Sequence, residues 1–170
     1  AVKERDNKAY FTQYLGSFGV FDAQGAIRLD DNEQFGSHTT GNATLGYRFN
    51  DAVQSYLSYG TAFKAPTFND LYWPGSESPN LVPEESQNYE IGLKGQMNSV
   101  NWELNGFHNE IDNMIAWAEA PIASDPYRWA PSNVEKAKIK GIEFSLTQQI
   151  NDFNWSMNYT YQDPKNESTV

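Results

Sequence analysis

Six side chains could meet a ligand: Tyr72, Trp73, Trp117, Tyr127, Arg128 and Trp129. They fall in or beside segments rich in Pro, Ser and Asn, which read as loops. Amphipathic rings with one guanidinium suit a large, partly apolar ligand. The competing roles are an aromatic girdle at a membrane interface and packing of one loop on another. An acidic run, Asp30-Asp-Asn-Glu33, offers oxygens of the kind calcium prefers. Asp30, Asn32 and Gln34 even take the first, third and fifth places of a calcium loop. Phe35 stands sixth, however, where glycine is needed, and Gly41 stands twelfth, where a bidentate Glu belongs. The run therefore reads as a solvated turn, and no metal site is expected. His38 and His108 lack partner spacing for a metal or for a nucleophile–base pair. No Gly-x-Ser-x-Gly elbow or phosphate loop is present, so catalysis has no support and no cofactor is expected.

Composition narrows the classes further. The chain has 170 residues, enough for one ordinary domain. Its formal net charge is -10, which excludes nucleic acid as a partner, because phosphate contacts need a basic face. There is no cysteine, so disulfides, thiolate catalysis and cysteine zinc sites are excluded. No run of about 18 apolar residues exists for a membrane helix. The mean hydropathy of -0.69 still permits a membrane barrel, since only alternate barrel residues face lipid. Aromatics make up 15% of the chain, an excess that interface girdles would explain. The chain opens on polar residues, Ala1 to Asp6, with no apolar core behind them. It reads as a mature chain or an internal piece of a longer one.

Period-two alternation dominates, and helix periodicity is scarce. Strands are expected over residues 8–16, 20–30, 38–49, 53–63, 87–97, 100–117, 135–149 and 153–162. The fourth strand should end at Ala65-Pro66, because proline removes a ladder donor. The sixth is longer than a bilayer requires, and its alternation slips near Phe107, which suggests a bulge. The eighth is the cleanest. Phe153, Trp155, Met157, Tyr159 and Tyr161 oppose Asn154, Ser156, Asn158, Thr160 and Gln162. Phe153, Trp155, Tyr159 and Tyr161 are expected to face lipid.

The predicted connections alternate short and long. Residues 31–37, 64–86 and 118–131 form the long ones. In a meander, successive connections lie at opposite ends, so all long loops share one end. Outer-membrane barrels have this asymmetry, with short periplasmic turns and long extracellular loops. A Greek-key sandwich has no reason to keep it. The fold class is therefore an all-β, antiparallel up-and-down meander of about eight strands, part of a larger transmembrane β-barrel.

Four stretches resemble one family. Ser58-Tyr-Gly-Thr-Ala-Phe-Lys-Ala-Pro-Thr-Phe-Asn-Asp-Leu-Tyr72 is similar to a barrel segment of TonB-dependent outer-membrane transporters. Ser78-Pro-Asn-Leu-Val-Pro-Glu-Glu-Ser-Gln-Asn-Tyr-Glu-Ile-Gly-Leu-Lys94 resembles that family's loop-into-strand pattern. Asn133-Val-Glu-Lys-Ala-Lys-Ile-Lys-Gly-Ile-Glu143 resembles its Ala-x-x-x-Gly-x-Glu strand. Arg28-Leu-Asp-Asp-Asn-Glu-Gln-Phe-Gly-Ser-His38 is closer to the cobalamin (vitamin B12) branch than to siderophore receptors. The resemblance implies a bacterial outer-membrane location, lipid around the barrel, and a small-molecule substrate, cobalamin or a ferric chelate. It implies TonB as a partner, through a plug that these residues do not include. Family members are several times longer, with about 22 strands. Residues 1–170 thus read as a partial barrel domain without plug or TonB box. One alternative is a ferric-siderophore receptor barrel. Others are a soluble all-β binding module with exposed aromatics, and a small closed barrel of eight strands.

Overall fold

The computed structural model describes residues 4–167. The first three positions of the polar opening and the last three of the chain lie outside the described residues. The strands are β1 (Asn7–Phe18), β2 (Phe21–Asn32), β3 (Gly36–Arg48), β4 (Val53–Lys64), β5 (Glu84–Met97), β6 (Val100–Glu119), β7 (Trp129–Ile150) and β8 (Phe153–Asn166). A short helix, α1 (Phe68–Tyr72), interrupts the β4–β5 connection. The strands form one antiparallel sheet in sequence order, β1 to β8. Among the described residues, β1 pairs only with β2 and β8 only with β7, so the sheet is an open meander and not a closed barrel of eight.

The ladder registers sort the side chains into two faces. One carries Phe21, Leu45, Leu57, Ile91, Leu93, Leu104, Ile142, Phe144, Met157 and Tyr159. The large side chains on this face are widely exposed: Leu57 60%, Ile91 65%, Tyr159 58%. Among the described residues no second layer covers them, which argues against the soluble sandwich. The other face carries Gln24, Thr44, Ser58, Glu90, Glu103, Asn105, Glu143 and Asn158. It is concave: a cavity of about 400 Å³ is lined by residues from β1 through β6, Ser17 and Gln24 at one side, Glu90 and Glu103 at the other. An apolar convex face and a polar concave one is the inverse of a soluble barrel and the pattern of a membrane one.

The apolar band has the right height. On β8 it runs from Phe153 to the first charge on that face, Asp163. Ten steps of about 3.4 Å give roughly 34 Å along the strand, or about 26 Å after a 40° tilt. The apolar band of outer-membrane barrels is about 25 Å tall.

No bulge occurs at Phe107. Its register is unbroken with β5 and with β7. The alternation slips because the solvent changes. Below Phe107 the convex face of β6 shows Trp102 and Leu104. Above it the same face shows His108, Glu110 and Asp112, while Phe107 and Ile111 turn to the concave side. The strand has left the apolar layer, so its outward residues become polar without any shift of pairing.

The glycines of two family-like stretches answer to aromatic rings. A Cβ at Gly92 would overlap Cζ of Tyr56. The Tyr56 hydroxyl donates to Glu103 Oε1 at 2.8 Å, which holds the ring over that glycine. A Cβ at Gly141 would overlap the Tyr161 carbonyl oxygen and lie 2.8 Å from Cζ of Phe107. These sites need the missing side chain for close approach, not for backbone freedom. Left-handed backbone is used at the turns instead, at Gly19, Asn98 and Asn151 (φ 61°, 54° and 51°).

The first long loop is shorter than the sequence suggests. The polar run predicts a loop over residues 31–37, but β2 runs to Asn32 and β3 starts at Gly36, so only residues 33–35 connect them. The polar residues there are ladder residues. Asp30 is buried, accepting from Arg28 (2.7 Å) and from Asn7 (3.0 Å). Buried Asn32 accepts the amides of Gln34 and Phe35 and so builds the turn itself. Short-long alternation holds for the other connections: residues 65–83 and 120–128 are long, whereas residues 19–20, 98–99 and 151–152 are two-residue turns.

Candidate ligand-binding surface on the long loops

The β4–β5 connection folds around α1. Pro66 stops β4, and Thr67 caps the helix. The Thr67 hydroxyl accepts the Asp70 amide at 3.2 Å, and Asp70 Oδ2 accepts the Thr67 amide at 2.9 Å, closing a reciprocal capping box. Burial opposes charge on Asp70. Hydrogen bonds from the Thr67 hydroxyl and amide and from the Trp117 ring outweigh it, and the carboxyl sits below its usual range. Leu71 is fully buried, as is Pro66. Leu81 is buried too, and the Ser78 amide donates to the Leu71 carbonyl at 3.0 Å.

This folded loop is tied to the β6–β7 hairpin, which outgrows the rest of the sheet at 20 and 22 residues. Trp117 Nε1 donates to Asp70 Oδ1 at 3.3 Å. Arg128 Nε donates to the Gly75 carbonyl at 2.8 Å, and its Nη1 donates to the Ala120 carbonyl at 3.3 Å. The Ser76 hydroxyl donates to the Trp129 carbonyl. Asn133 mimics a strand neighbour. Its Oδ1 accepts the Val82 amide, and its Nδ2 donates to the Val82 carbonyl, each at 3.0 Å. That Nδ2 also reaches the carbonyl of Asn113, which has φ of 55°.

The six expected ligand residues therefore divide. Trp117 and Arg128 give their polar groups to protein partners, although the Trp117 ring stays 40% exposed, and Tyr72 stacks on Phe68 at 6.5 Å. Trp73, Tyr127 and Trp129 remain outward, exposed by 51%, 87% and 52%. Trp73 and Trp129 meet through Ser76, whose amide donates to the Trp73 carbonyl while its hydroxyl serves the Trp129 carbonyl. Sequence reasoning passes over Ser76, Asn133 and the Thr67–Asp70 cap. The cap has a signal in Thr-x-x-Asp behind a proline; a side chain bonding to a distant backbone has none.

Charge on these loops is lopsided. Residues 65–83 and 120–128 hold Asp70, Glu77 and Asp125 against Arg128 alone. Glu77 is held below its usual pKa by its own amide and that of Gly75, with a smaller pull from Arg128. His38 stacks on Phe63 at 3.9 Å and lies 3.6 Å from Glu85. His108 sits 3.1 Å from Glu110. Among the described residues, no three His, Cys, Asp or Glu side chains group as a metal site.

An open meander with an apolar convex face about one bilayer tall, a polar concave face and folded loops at one end is the wall of an outer-membrane β-barrel. The chain belongs to the TonB-dependent receptor β-barrel family: the family described as "TonB dependent receptor-like, beta-barrel" matches residues 1–170. It is 38% identical over 167 residues to the vitamin B12 transporter BtuB of Photobacterium profundum, covering 98% of this chain and 28% of that one. It is 39% identical over 165 residues to the protein of the same name from Vibrio vulnificus, covering 97% and 26%. The chain thus spans just over a quarter of the length of these relatives. Among solved structures, the siderophore receptor PirA of Pseudomonas aeruginosa matches with a TM-score of 0.79 at 22% identity, over 94% of this chain and 32% of that one. The copper transporter OprC matches with a TM-score of 0.74 at 17% identity, over 95% and 29%. These structures share the fold. Members of the family are receptors of the outer membrane that bind small molecules and work with TonB; they are not enzymes.

Proposed function

We propose that residues 1–170 form part of the barrel domain of a TonB-dependent receptor for cobalamin. The observation that carries this reading is the 38% identity to a vitamin B12 transporter across 98% of the chain, long loops included. The site chemistry supports it. Trp73, Tyr127 and Trp129 offer broad rings to the apolar faces of a large ligand. The surrounding loops are acidic, and their one cation is engaged by backbone carbonyls. Such a surface suits a bulky ligand edged with amides better than a multiply anionic ferric chelate. Lipid covers the convex face. The concave face, where Asn105 Oδ1 and Asn109 Oδ1 are buried without a partner, packs against further polar protein. The plug and TonB contact belong to the remainder of the receptor.

The test is equilibrium binding by the full-length receptor in detergent, with cyanocobalamin beside ferric enterobactin. Cyanocobalamin is expected to bind and ferric enterobactin not. Replacing Trp73 and Trp129 together by alanine should weaken cyanocobalamin at least about tenfold, the loss typical of truncating aromatic anchors. Binding of the ferric chelate alone would favour a siderophore receptor, as PirA, which shares the fold, is named.

A further inference from the structure

We infer that Arg128 is a positioning residue: its guanidinium locks the two long loops into one rigid platform and does not touch the ligand. The inference rests on the cobalamin reading for its ligand, but not for its geometry. Arg128 Nε serves the Gly75 carbonyl on one loop, and Nη1 serves the Ala120 carbonyl across the other. One planar fork thus fastens residues 65–83 to 120–128. The neighbouring ties repeat the arrangement at Asp70–Trp117, Ser76–Trp129 and Val82–Asn133, along the length of the same loop. Arg128 sits at the middle of that row, beside the Ser76 bridge that joins Trp73 to Trp129.

The alternative is a rim guanidinium waiting for an anionic ligand group, and the geometry speaks against it. Both bonded nitrogens face backbone carbonyls, and the loop's Glu77 lies close enough to feel the Arg128 charge. What Arg128 controls is the fraction of receptors whose loops are already assembled. A ligand that needs the assembled form meets fewer competent receptors once that fraction falls, and its apparent affinity falls by the same factor. The loss appears in association. Removing a ligand contact would appear in dissociation instead.

The experiment uses the full-length receptor, with Arg128→Ala and Arg128→Lys beside wild type. Amide exchange over residues 65–83 is measured without ligand, and cyanocobalamin association and dissociation are measured separately. In Arg128→Ala the loop should exchange about tenfold faster and association should slow about tenfold, with dissociation changed less than about twofold. Arg128→Lys should follow the alanine variant, because a single ammonium cannot span both carbonyls. Unchanged exchange overturns the inference. So does faster dissociation with unchanged association, or a lysine variant that behaves as wild type. If the receptor holds no cyanocobalamin, the substrate reading fails separately and the exchange comparison alone decides the lock.

Discussion

Replacing Gly141 by alanine should destabilise the barrel wall more than any other single methyl added to a strand glycine without left-handed backbone. The new Cβ would overlap the Tyr161 carbonyl oxygen, which belongs to the neighbouring strand. That oxygen cannot move without opening the β7–β8 ladder around the Gly141–Gln162 pair. On the other side the methyl meets the Phe107 ring at 2.8 Å. Overpacking of this kind costs about 1–3 kcal/mol, and more where backbone is the obstacle. Gly25 supplies the control, because a Cβ there has its nearest neighbour at 3.8 Å. In the full-length receptor, the unfolding midpoint in detergent should fall for Gly141→Ala and hold for Gly25→Ala. Equal midpoints would mean that the Tyr161 carbonyl and the Phe107 ring are not what keep position 141 bare.

The second large effect is expected at Leu71, away from the wall. Leu71 is completely buried in a loop that has almost no other core. Leu-to-Ala changes at such sites cost about 2–5 kcal/mol. The loop has little reserve to absorb this, since Pro66 and Leu81 are the other buried apolar side chains of residues 65–83. The barrel does not share the loss, because its ladders run below the loop. Leu71→Ala should therefore make residues 65–83 open to protease while the barrel keeps its unfolding midpoint. A loop as resistant as wild type would show that the side-chain and backbone ties hold it without its core. The pair of variants separates the two stabilities: Gly141→Ala strikes the wall and spares the loop, and Leu71→Ala does the reverse.

The strands are legible in the sequence because a wall with one apolar and one polar face enforces alternation without compromise. Phe153 to Tyr161 shows it most clearly, with four rings and Met157 at every second residue and amides or hydroxyls between. The same rule misleads at Phe107. Alternation reports the surroundings as much as the register, and the convex face of β6 passes from apolar to charged residues at that point. The run Asp30 to Glu33 misleads for a related reason. Polar residues suggest a loop when the polar side of a strand is taken for bulk water, but Asp30 and Asn32 lie buried at the strand ends and both bond to Asn7. The short helix leaves no periodicity in five residues. At the long loops, the sequence picks out the aromatic residues and Arg128 but cannot sort them. Trp117 and Trp129 look alike as letters. Both rings are partly exposed; what separates them is that the Trp117 indole N–H bonds Asp70, 47 positions away, whereas Trp129 joins the loop through its carbonyl. Such bonds depend on the β6–β7 hairpin rising past its neighbours, and no local pattern records that.

The orientation of the wall is the claim on which the rest depends, and thiol accessibility tests it most directly. Residues 1–170 contain no cysteine, and any in the rest of the receptor is first replaced by serine. Single Tyr127→Cys and Asp152→Cys variants of the full-length receptor would be treated, in intact cells, with a charged maleimide too large for the outer membrane. Tyr127 lies in a long loop and Asp152 in a two-residue turn at the opposite end. Labelling at position 127 in intact cells, and at position 152 only after the membrane is opened, is the expected result. Labelling at 152 with protection at 127 would turn the barrel over and place Trp73, Tyr127 and Trp129 on the side that no external ligand reaches.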